Sequence, residues 1–373
     1  MLRDIEALVT CESPSTDLGA VAASAQLVAR VGAAHLGAEP ELLDIDGRSH
    51  LRWRFGTGAR RVLVLGHHDT VWPLGSLRTH PFRVDGGVLR GPGCFDMKAG
   101  VVMAFAAIAG LADPSGITLL VTGDEEIGSP TSRALIEDEA RGCTAALVLE
   151  ASAVGGALKV ERKGVSLYDI EVDGRAAHAG LEPERGVNAT IEVAHQVLAL
   201  AALADDDAGT TVTPTVMSAG TSTNTVPARA RLSVDVRTRR RAEQDRVDAA
   251  VRALRPVVDG ARIEVHGGPN RPPLERSAAA ELFARAALIA RDLGQPPLRG
   301  VAVGGASDGN FTAGVGTPTL DGLGAVGGGA HADDEHVLIA ELAPRTELVR
   351  ALLADLLTSG ATKAAAATGT DRP

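Results

Sequence analysis

The predicted architecture follows from one stretch, Arg61-Val62-Leu63-Val64-Leu65-Gly66-His67-His68-Asp69-Thr70-Val71. Its first half is a short aliphatic run that ends at a glycine, which is typical of a buried strand. Its second half places His67 and Asp69 two residues apart, so on an extended chain both side chains point the same way. An imidazole is a common zinc ligand, and a carboxylate behind it would fix its orientation. By itself this pair is only a weak sign of a metal site at a strand end, because most His residues near Asp form ordinary polar pairs.

Acidic residues follow other strands and loops in the same manner. Asp96 lies in a glycine-rich loop that leads into a helix, Glu125 and Glu126 follow a second aliphatic run, and Glu150 ends a third. Helical patterns alternate with these runs, so the strands should form a largely parallel sheet whose carboxyl ends share one edge. Because burying several carboxylates together is costly unless cations compensate, we expect these acids and His67 to meet at one metal site.

Two of these segments have simpler interpretations. The acidic run 124–126 would usually be a solvated turn, but it follows a strand that reads as buried. The loop 91–100 could cradle a phosphate at a helix N-terminus. However, a phosphate-binding P-loop needs Ser or Thr after Gly-Lys, and here Ala99 follows Lys98. Nucleotide binding is therefore disfavoured.

The composition limits the class of protein. A length of 373 residues suggests more than one domain, and 45% hydrophobic residues are enough to build real cores. With 37 basic and 47 acidic residues the net charge is −10, which argues against non-specific nucleic-acid binding. Three cysteines are too few for a disulfide framework, the N-terminus lacks a signal-type apolar run, and no apolar segment reaches about 18 residues. We therefore expect a cytoplasmic protein without nucleic-acid or membrane partners.

The pattern of strands changes near residue 163. The segment 164–270 alternates like an open antiparallel sheet with two helices, and its length is that of an ordinary domain. We predict a domain made of 1–163 and 271–360, an inserted domain 164–270, and a disordered tail 361–373 of small and polar residues. The predicted fold class is α/β, with a mixed, largely parallel sheet flanked by helices and an inserted α+β sandwich.

Together, the motifs resemble the M20 family of co-catalytic zinc exopeptidases and amidohydrolases, and most of all its glutamate carboxypeptidase branch. The matching segments occur in order: Gly66–Val71, Gly93–Gly100, Asp124–Ser129, Glu150, Gly174–Gly180 and Gly329–His331. Each motif alone is weak, but the set is specific and covers nearly the whole chain up to about residue 358. The resemblance implies a zinc exopeptidase-like catalytic domain and an inserted domain that serves as a lid and dimerisation surface.

The resemblance also implies a metal-binding role for five residues. His67 and Glu150 would bind one zinc ion, Glu126 and His331 would bind the other, and Asp96 would bridge both, with a cis peptide bond after it. The implied cofactor is two Zn²⁺ per subunit, with Co²⁺ or Mn²⁺ as possible substitutes. Two Zn²⁺ carry four positive charges, which three carboxylates and a bridging hydroxide would offset, so such a site can be buried.

Further roles are implied for the chemistry. Asp69 would orient His67, and Glu125 would be the general base and then the general acid as the hydroxide attacks the carbonyl. His178 would reach the active site of a homodimer partner and help to polarise the scissile carbonyl. The positions that hold the substrate carboxylate match Asn224, Arg237 and Arg271. For Arg271 the alternative is an ordinary solvated loop arginine.

The implied activity is zinc-dependent hydrolysis of an amide bond next to a free carboxylate, as in a glutamate carboxypeptidase-like exopeptidase. The substrate would be a small peptide or an N-acyl amino acid, so an aminoacylase-like amidohydrolase on the same site is the alternative. A non-catalytic zinc-binding relative is a third possibility, but no ligand or base is missing from the motifs.

A serine hydrolase is the remaining alternative. The segment Gly305-Ala306-Ser307-Asp308-Gly309 fits Gly-x-Ser-x-Gly after an aliphatic strand, with Asp321 and His331 downstream in the order of a triad. This interpretation leaves the clustered acids without a purpose, and no strong helix is predicted after Ser307. We therefore disfavour it.

Overall fold

The structure is a computed structural model that describes residues 1–59 and 61–367. The described residues form nine α-helices and sixteen strands. The helices are α1 (Leu2–Thr10), α2 (Leu18–Leu36), α3 (Ala99–Ala109), α4 (Arg133–Ala140), α5 (Ala189–Ala201), α6 (Arg241–Arg252), α7 (Arg276–Asp292), α8 (Gly309–Gly314) and α9 (Ile339–Ala367). The strands are β1 (Glu41–Ile45), β2 (Arg48–Arg54), β3 (Val62–His67), β4 (Arg83–Asp85), β5 (Val88–Arg90), β6 (Ile117–Thr122), β7 (Ala145–Val148), β8 (Leu158–Arg162), β9 (Gly164–Asp173), β10 (Thr211–Ala219), β11 (Arg229–Thr238), β12 (Arg262–Arg271), β13 (Gly300–Val303), β14 (Thr319–Leu320), β15 (Gly327–Gly328) and β16 (His336–Leu338).

The chain divides into two compact units. The first unit comprises Met1–Glu161, Arg276–Val303 and the chain from Ser307 onward, and the second comprises Arg162–Glu275 and Gly304–Ala306. In the described part of the chain, none of the helices is both long enough and apolar enough to cross a lipid bilayer.

The first unit contains a six-stranded sheet in the order β1-β2-β6-β3-β7-β14. The four strands from β6 to β14 are parallel, whereas β1 and β2 are antiparallel to their neighbours. Every residue of β3, β6 and β7 is buried, which explains why these strands are continuous aliphatic runs rather than alternating patterns. This arrangement confirms the predicted class, a mixed, largely parallel sheet with helices.

The parallel pairing places the C-terminal ends of strands β3, β6 and β7 side by side. His67 is the last residue of β3, the turn with Glu125 and Glu126 follows β6, and Glu150 lies two residues beyond the end of β7. Since β3 pairs with both β6 and β7, these residues are delivered to one edge of the sheet.

A close contact sets the position of α3 against β7. A Cβ atom placed on Gly100, in the first turn of α3, would lie 2.1 Å from the carbonyl oxygen of Leu149. Only glycine permits this approach. The contact holds the loop of Asp96, which leads into α3, next to the residue that precedes Glu150.

The second unit is a four-stranded antiparallel sheet in the order β10-β11-β9-β12. Helices α5 and α6 pack on it, and β9 and β11 alternate buried and accessible residues, as expected for a sheet covered on one face. The core between them consists mainly of Tyr168, Ile170, Val172, Val193, Leu200, Leu232, Val234, Val236, Val247 and Val251. This is the α+β arrangement that the alternating sequence predicts.

Some predicted details were wrong. Helix α9 extends to Ala367, whereas the tail 361–373 was predicted to be disordered, and residues 368–373 lie outside the described residues. The reason is the run of alanines at 364–367, because alanine has the highest helix propensity. The short strands β1, β4, β5, β8, β14, β15 and β16 were not predicted, since two to five residues carry too weak a periodic pattern.

Replacing Gly100 with alanine should lower the free energy of unfolding by at least about 1 kcal/mol, because overpacking against the Leu149 carbonyl outweighs the gain in helix propensity. Urea titration measures this difference. Gly58→Ala is the matched control, since nothing lies within 4 Å of its Cβ position, and it should change stability by less than about 0.5 kcal/mol. Equal stability of the two variants would contradict the proposed packing constraint.

Candidate active site

Asp69 lies fully buried behind His67 and joins it to the turn after β6. The Nδ1 atom of His67 is 3.4 Å from Asp69 Oδ1 and 3.0 Å from the Asp69 carbonyl oxygen. The carboxylate accepts hydrogen bonds from the backbone N–H groups of Glu125 and Glu126, both at 3.2 Å, and from the hydroxyl of Ser15 at 2.6 Å. Burial alone would raise the pKa of Asp69, but the contacts with His67 and Ser15 lower it to about 2.

The other ring nitrogen of His67 faces two carboxylates. His67 Nε2 is 3.3 Å from Asp96 Oδ1 and 3.6 Å from Glu150 Oε1. The Nζ atom of Lys159 lies 3.9 Å from the second oxygen of Glu150. Burial disfavours a charged imidazole, but the nearby carboxylates of Asp69, Asp96 and Glu150 raise the pKa of His67 well above its usual value.

His331 occupies the opposite side of Asp96. Its Nε2 atom is 3.1 and 3.2 Å from the two oxygens of Glu126 and 3.4 Å from Asp96 Oδ2. These two carboxylates raise the pKa of His331 to about 10, against the opposing effect of burial. Asp96 therefore turns one oxygen toward His67 and the other toward His331, as a bridging ligand must. The side chain of His331 is 48% exposed. The cluster formed by His67, Asp96, Glu126, Glu150 and His331 is therefore open to solvent on the side of His331.

The cluster fits a pair of divalent cations. Among the described residues, His67 Nε2 and Asp96 Oδ1 are buried atoms without a hydrogen-bond partner, and such atoms are rare unless a ligand satisfies them. One donor atom each of His67, Asp96 and Glu126 lie within 4.8 Å of one another, as do donor atoms of His67, Glu125 and Glu150. Imidazole nitrogens and carboxylate oxygens are ordinary zinc ligands.

The loop that carries Asp96 is held by a residue that the sequence analysis did not select. The Asp96–Met97 peptide bond is cis, as the resemblance implies. Glu335 is 3% exposed and accepts hydrogen bonds from three backbone N–H groups of this loop. It was overlooked because it ends the acidic run 333–335, which has the composition of a solvated turn. Its position directly before β16 is the one available signal that it could be buried.

The structure does not form a serine triad. Ser307 is fully buried, its hydroxyl donates to Asp321 at 2.6 Å, and its oxygen accepts the N–H of Gly309 at 3.1 Å. His331, which the triad would require as the base, is bonded to Glu126 instead. Ser307 therefore has an acceptor for its proton but no imidazole among its described contacts.

In the second unit, His178 and Asn224 lie close together at one end of the sheet. Their loops pair through the backbone, with Ala179 N–H donating to the Asn224 carbonyl at 2.9 Å and Val226 N–H donating to that of Ala177 at 2.9 Å. His178 is exposed, and its Nδ1 atom accepts the N–H of Gly180 at 3.1 Å. The loop of His178 follows the end of β9, and the loop of Asn224 precedes the start of β11.

Arg237 and Arg271 lie at the other end of the same sheet. Both are paired with Val165 near the start of β9, one from each side, so their Cα atoms are about 10 Å apart. Strand β9 has 10 residues, so about 30 Å separates this end from the end that leads to His178. Arg237 forms a bidentate ion pair with Asp235 at 2.8 Å, and Arg271 is only 8% exposed. The four residues thus form two pairs and do not converge within one copy.

Comparison with known proteins agrees with this geometry. Residues 63–355 match the sequence profile of peptidase family M20/M25/M40. The chain is 31% identical to carboxypeptidase G2 of Pseudomonas sp. strain RS-16 over 311 residues, which cover 81% of this chain and 75% of that protein. It is 29% identical to succinyl-diaminopimelate desuccinylase of Afipia carboxidovorans over 336 residues, 83% of this chain and 86% of that protein.

Solved structures share the fold. The M20 family metallo-carboxypeptidase Sso-CP2 from Sulfolobus solfataricus has a TM-score of 0.73 at 16% identity, covering 94% of this chain and 98% of that chain. Aminopeptidase PepT from Bacillus cereus has a TM-score of 0.72 at 22% identity, covering 95% and 97%. The resemblance drawn from the motifs is therefore confirmed: the chain belongs to peptidase family M20/M25/M40 and is a metallohydrolase of the peptidase or amidohydrolase type.

Proposed function

We propose that the protein is a zinc-dependent hydrolase that cleaves an amide bond next to a free carboxylate, as a glutamate carboxypeptidase-like exopeptidase does. The observation that carries the proposal is the placement of Asp96 between His67 and His331, with unsatisfied buried atoms on His67 and Asp96. One ion would be held by His67, Asp96 and Glu150, and the other by Asp96, Glu126 and His331. Co²⁺ or Mn²⁺ could take the same ligands.

The residues of the chain supply the orientation and the proton transfer. Bound divalent cations would polarise the scissile carbonyl and lower the pKa of water from about 15.7 toward roughly 7. Asp69 faces the Nδ1 atom of His67, which keeps the proton there and leaves Nε2 for an ion. Glu125 has its N–H anchored on Asp69 and a carboxylate oxygen close to His67 and Glu150, so it is placed to accept a proton from water and pass it to the leaving amine.

The substrate class is supported by the names of the relatives. A carboxypeptidase and a succinyl-diaminopimelate desuccinylase both hydrolyse an amide whose amine half is an amino acid with a free carboxylate. Arg271 is suited to bind that carboxylate, because a buried guanidinium is weakly screened by solvent. Arg237 forms an ion pair with Asp235, which it would exchange for the substrate carboxylate. The desuccinylase relatives favour the second candidate function, an N-acyl amino acid amidohydrolase on the same site.

A homodimer through the second unit would resolve the separation of the substrate-binding residues. A small substrate cannot touch both ends of a sheet about 30 Å long, so His178 and Asn224 would act on the active site of a second copy. Strand β10 is an edge strand of this sheet, paired with β11 on one side only, and it exposes Val216 and Met217. The adjacent helix α5 exposes Ile191 and Leu198. An apolar edge of this kind is suited to pair with another chain.

A hydrolysis panel tests the proposed activity. Zinc-loaded protein should cleave peptides ending in Glu or Asp, and it should lose activity when their terminal carboxylate is amidated. A chelator should abolish turnover and a serine-directed reagent should not. Cleavage of N-acyl amino acids without cleavage of peptides would select the amidohydrolase, and hydrolysis that survives metal removal would refute the proposal.

Zinc should stabilise the protein through His67. At a free zinc concentration of about 100 Kd the metal-free protein should gain roughly 2.7 kcal/mol per site, seen as a higher unfolding temperature. His67→Gln should lose most of this gain. His35→Gln is the control, because His35 bonds to Asp4 of α1 and has none of the proposed ligands among its described contacts, and this variant should respond like the wild type. An undiminished response in His67→Gln would contradict the ligand assignment.

Mixed dimers test the roles of Glu125 and His178 together. Glu125→Gln should keep zinc and lose at least about 10²-fold in kcat, the lower range for a general base. His178→Ala should be impaired independently. A heterodimer purified from co-expressed, differently tagged variants should regain about half of the wild-type activity, because one of its two sites then has both residues. Recovery no greater than that of either parent would show that His178 does not act on a partner.

A further inference from the structure

Glu335 accepts four hydrogen bonds, three of them from the Asp96 loop. Its Oε1 atom accepts the backbone N–H groups of Phe95 at 2.8 Å and Asp96 at 3.1 Å, and its Oε2 atom accepts that of Gly93 at 2.9 Å. Oε2 also accepts the indole N–H of Trp72 at 2.7 Å. All four partners are donors, so an acceptor-only carboxylate matches them and an amide would not.

The same residue is fixed relative to His331 by short backbone bonds. Ala332 N–H donates to the Gly329 carbonyl at 2.9 Å, and Glu335 N–H donates to the Ala332 carbonyl at 3.0 Å. Strand β16 begins at the next residue and pairs with β5. His331 lies between the bonded residues Gly329 and Ala332, so a displacement of Glu335 would be expected to move His331 as well as the Asp96 loop.

We infer that Glu335 is a positioning residue that sets the spacing between Asp96 and His331, and through it the zinc affinity of the site they share with Glu126. The inference rests on the proposed function, because it assumes that these residues bind metal. Glu335 contacts the N–H of Asp96 and not its carboxylate, so it acts through the loop. Hydrogen bonds to a charged acceptor are about twice as strong as neutral ones, which makes the loop rigid before an ion arrives. Supporting residues of this type typically change metal affinity by about 10–100-fold.

Glu192 provides a matched control in the second unit. It is also fully buried, and it accepts the backbone N–H groups of Val257 at 2.9 Å and Val258 at 2.6 Å, as well as the side-chain amide of Gln196 at 2.6 Å. Glu192→Gln removes a buried carboxylate that bonds backbone N–H groups, but none of the proposed ligands lies in its unit. It reports the effect of lost stability alone.

The test is a competition titration of Zn²⁺ against a chromophoric chelator, with full-length metal-free wild type, Glu335→Gln and Glu192→Gln. Glu335→Gln should bind Zn²⁺ about 10–100-fold more weakly, and its Co²⁺-loaded form should have an altered visible spectrum. Glu192→Gln should stay within about 2-fold of the wild type even if it unfolds at a lower temperature. Glu335→Asp keeps the charge with a shorter reach, and it should restore part of the affinity.

The outcomes are distinct. A folded Glu335→Gln protein with wild-type zinc affinity and Co²⁺ spectrum overturns the inference. If that variant does not fold, Glu335→Asp decides by the same two measurements. Equal losses in Glu335→Gln and Glu192→Gln also overturn it, since the effect would then be one of general stability. A wild-type protein that binds no zinc would instead overturn the proposed function.

Discussion

Repulsion among buried carboxylates is the constraint on which the active-site region depends. The carboxylates of Asp96, Glu126 and Glu150 lie around the imidazoles of His67 and His331. The Nζ atom of Lys159 is 3.9 Å from Glu150 Oε2. The negative charges of these carboxylates repel one another, so burying them together is costly unless positive charge compensates. Against the opposing effect of burial, neighbouring carboxylates raise the pKa values of His67 and His331 above the usual value for an imidazole.

The surrounding structure is organised to keep these groups in place despite their repulsion. Asp69 accepts N–H groups from the turn of Glu125 and Glu126, and Glu335 accepts those of the Asp96 loop. Neither Asp69 nor Glu335 is a proposed metal ligand, and both accept hydrogen bonds from backbone N–H groups. Behind them, the contact between Gly100 and the Leu149 carbonyl leaves no room for movement of the Asp96 loop toward β7. Rigid support of this kind is what a preorganised hydrolytic site needs.

The second unit has a different design. Its residues proposed to bind substrate lie at opposite ends of β9, and its edge strand β10 and helix α5 expose apolar side chains. Within one copy a small substrate cannot touch both ends of this sheet, and this separation is the basis for the proposed homodimer. In the proposed homodimer this unit would supply His178 and the substrate-binding residues, whereas the proposed metal ligands and Glu125 lie in the first unit.

The amino-acid pattern was enough to predict the buried parallel strands and the polar residues at their ends. Aliphatic runs followed by His67, by Glu125 and Glu126, and by Glu150 indicate such strands, because hydrophobic periodicity can be read over a few neighbouring residues. The motifs also identified the family. Tertiary structure alone decided that Glu335 is a buried acceptor and not part of a solvated acidic turn, that Ser307 is bonded to Asp321, and that Arg237 lies far from Asn224. The physical reason is that a contact between two particular residues leaves no periodic trace in the chain, whether they are 14 positions apart, as Ser307 and Asp321 are, or 240 apart, as Phe95 and Glu335 are. The pattern of buried and exposed side chains does leave such a trace.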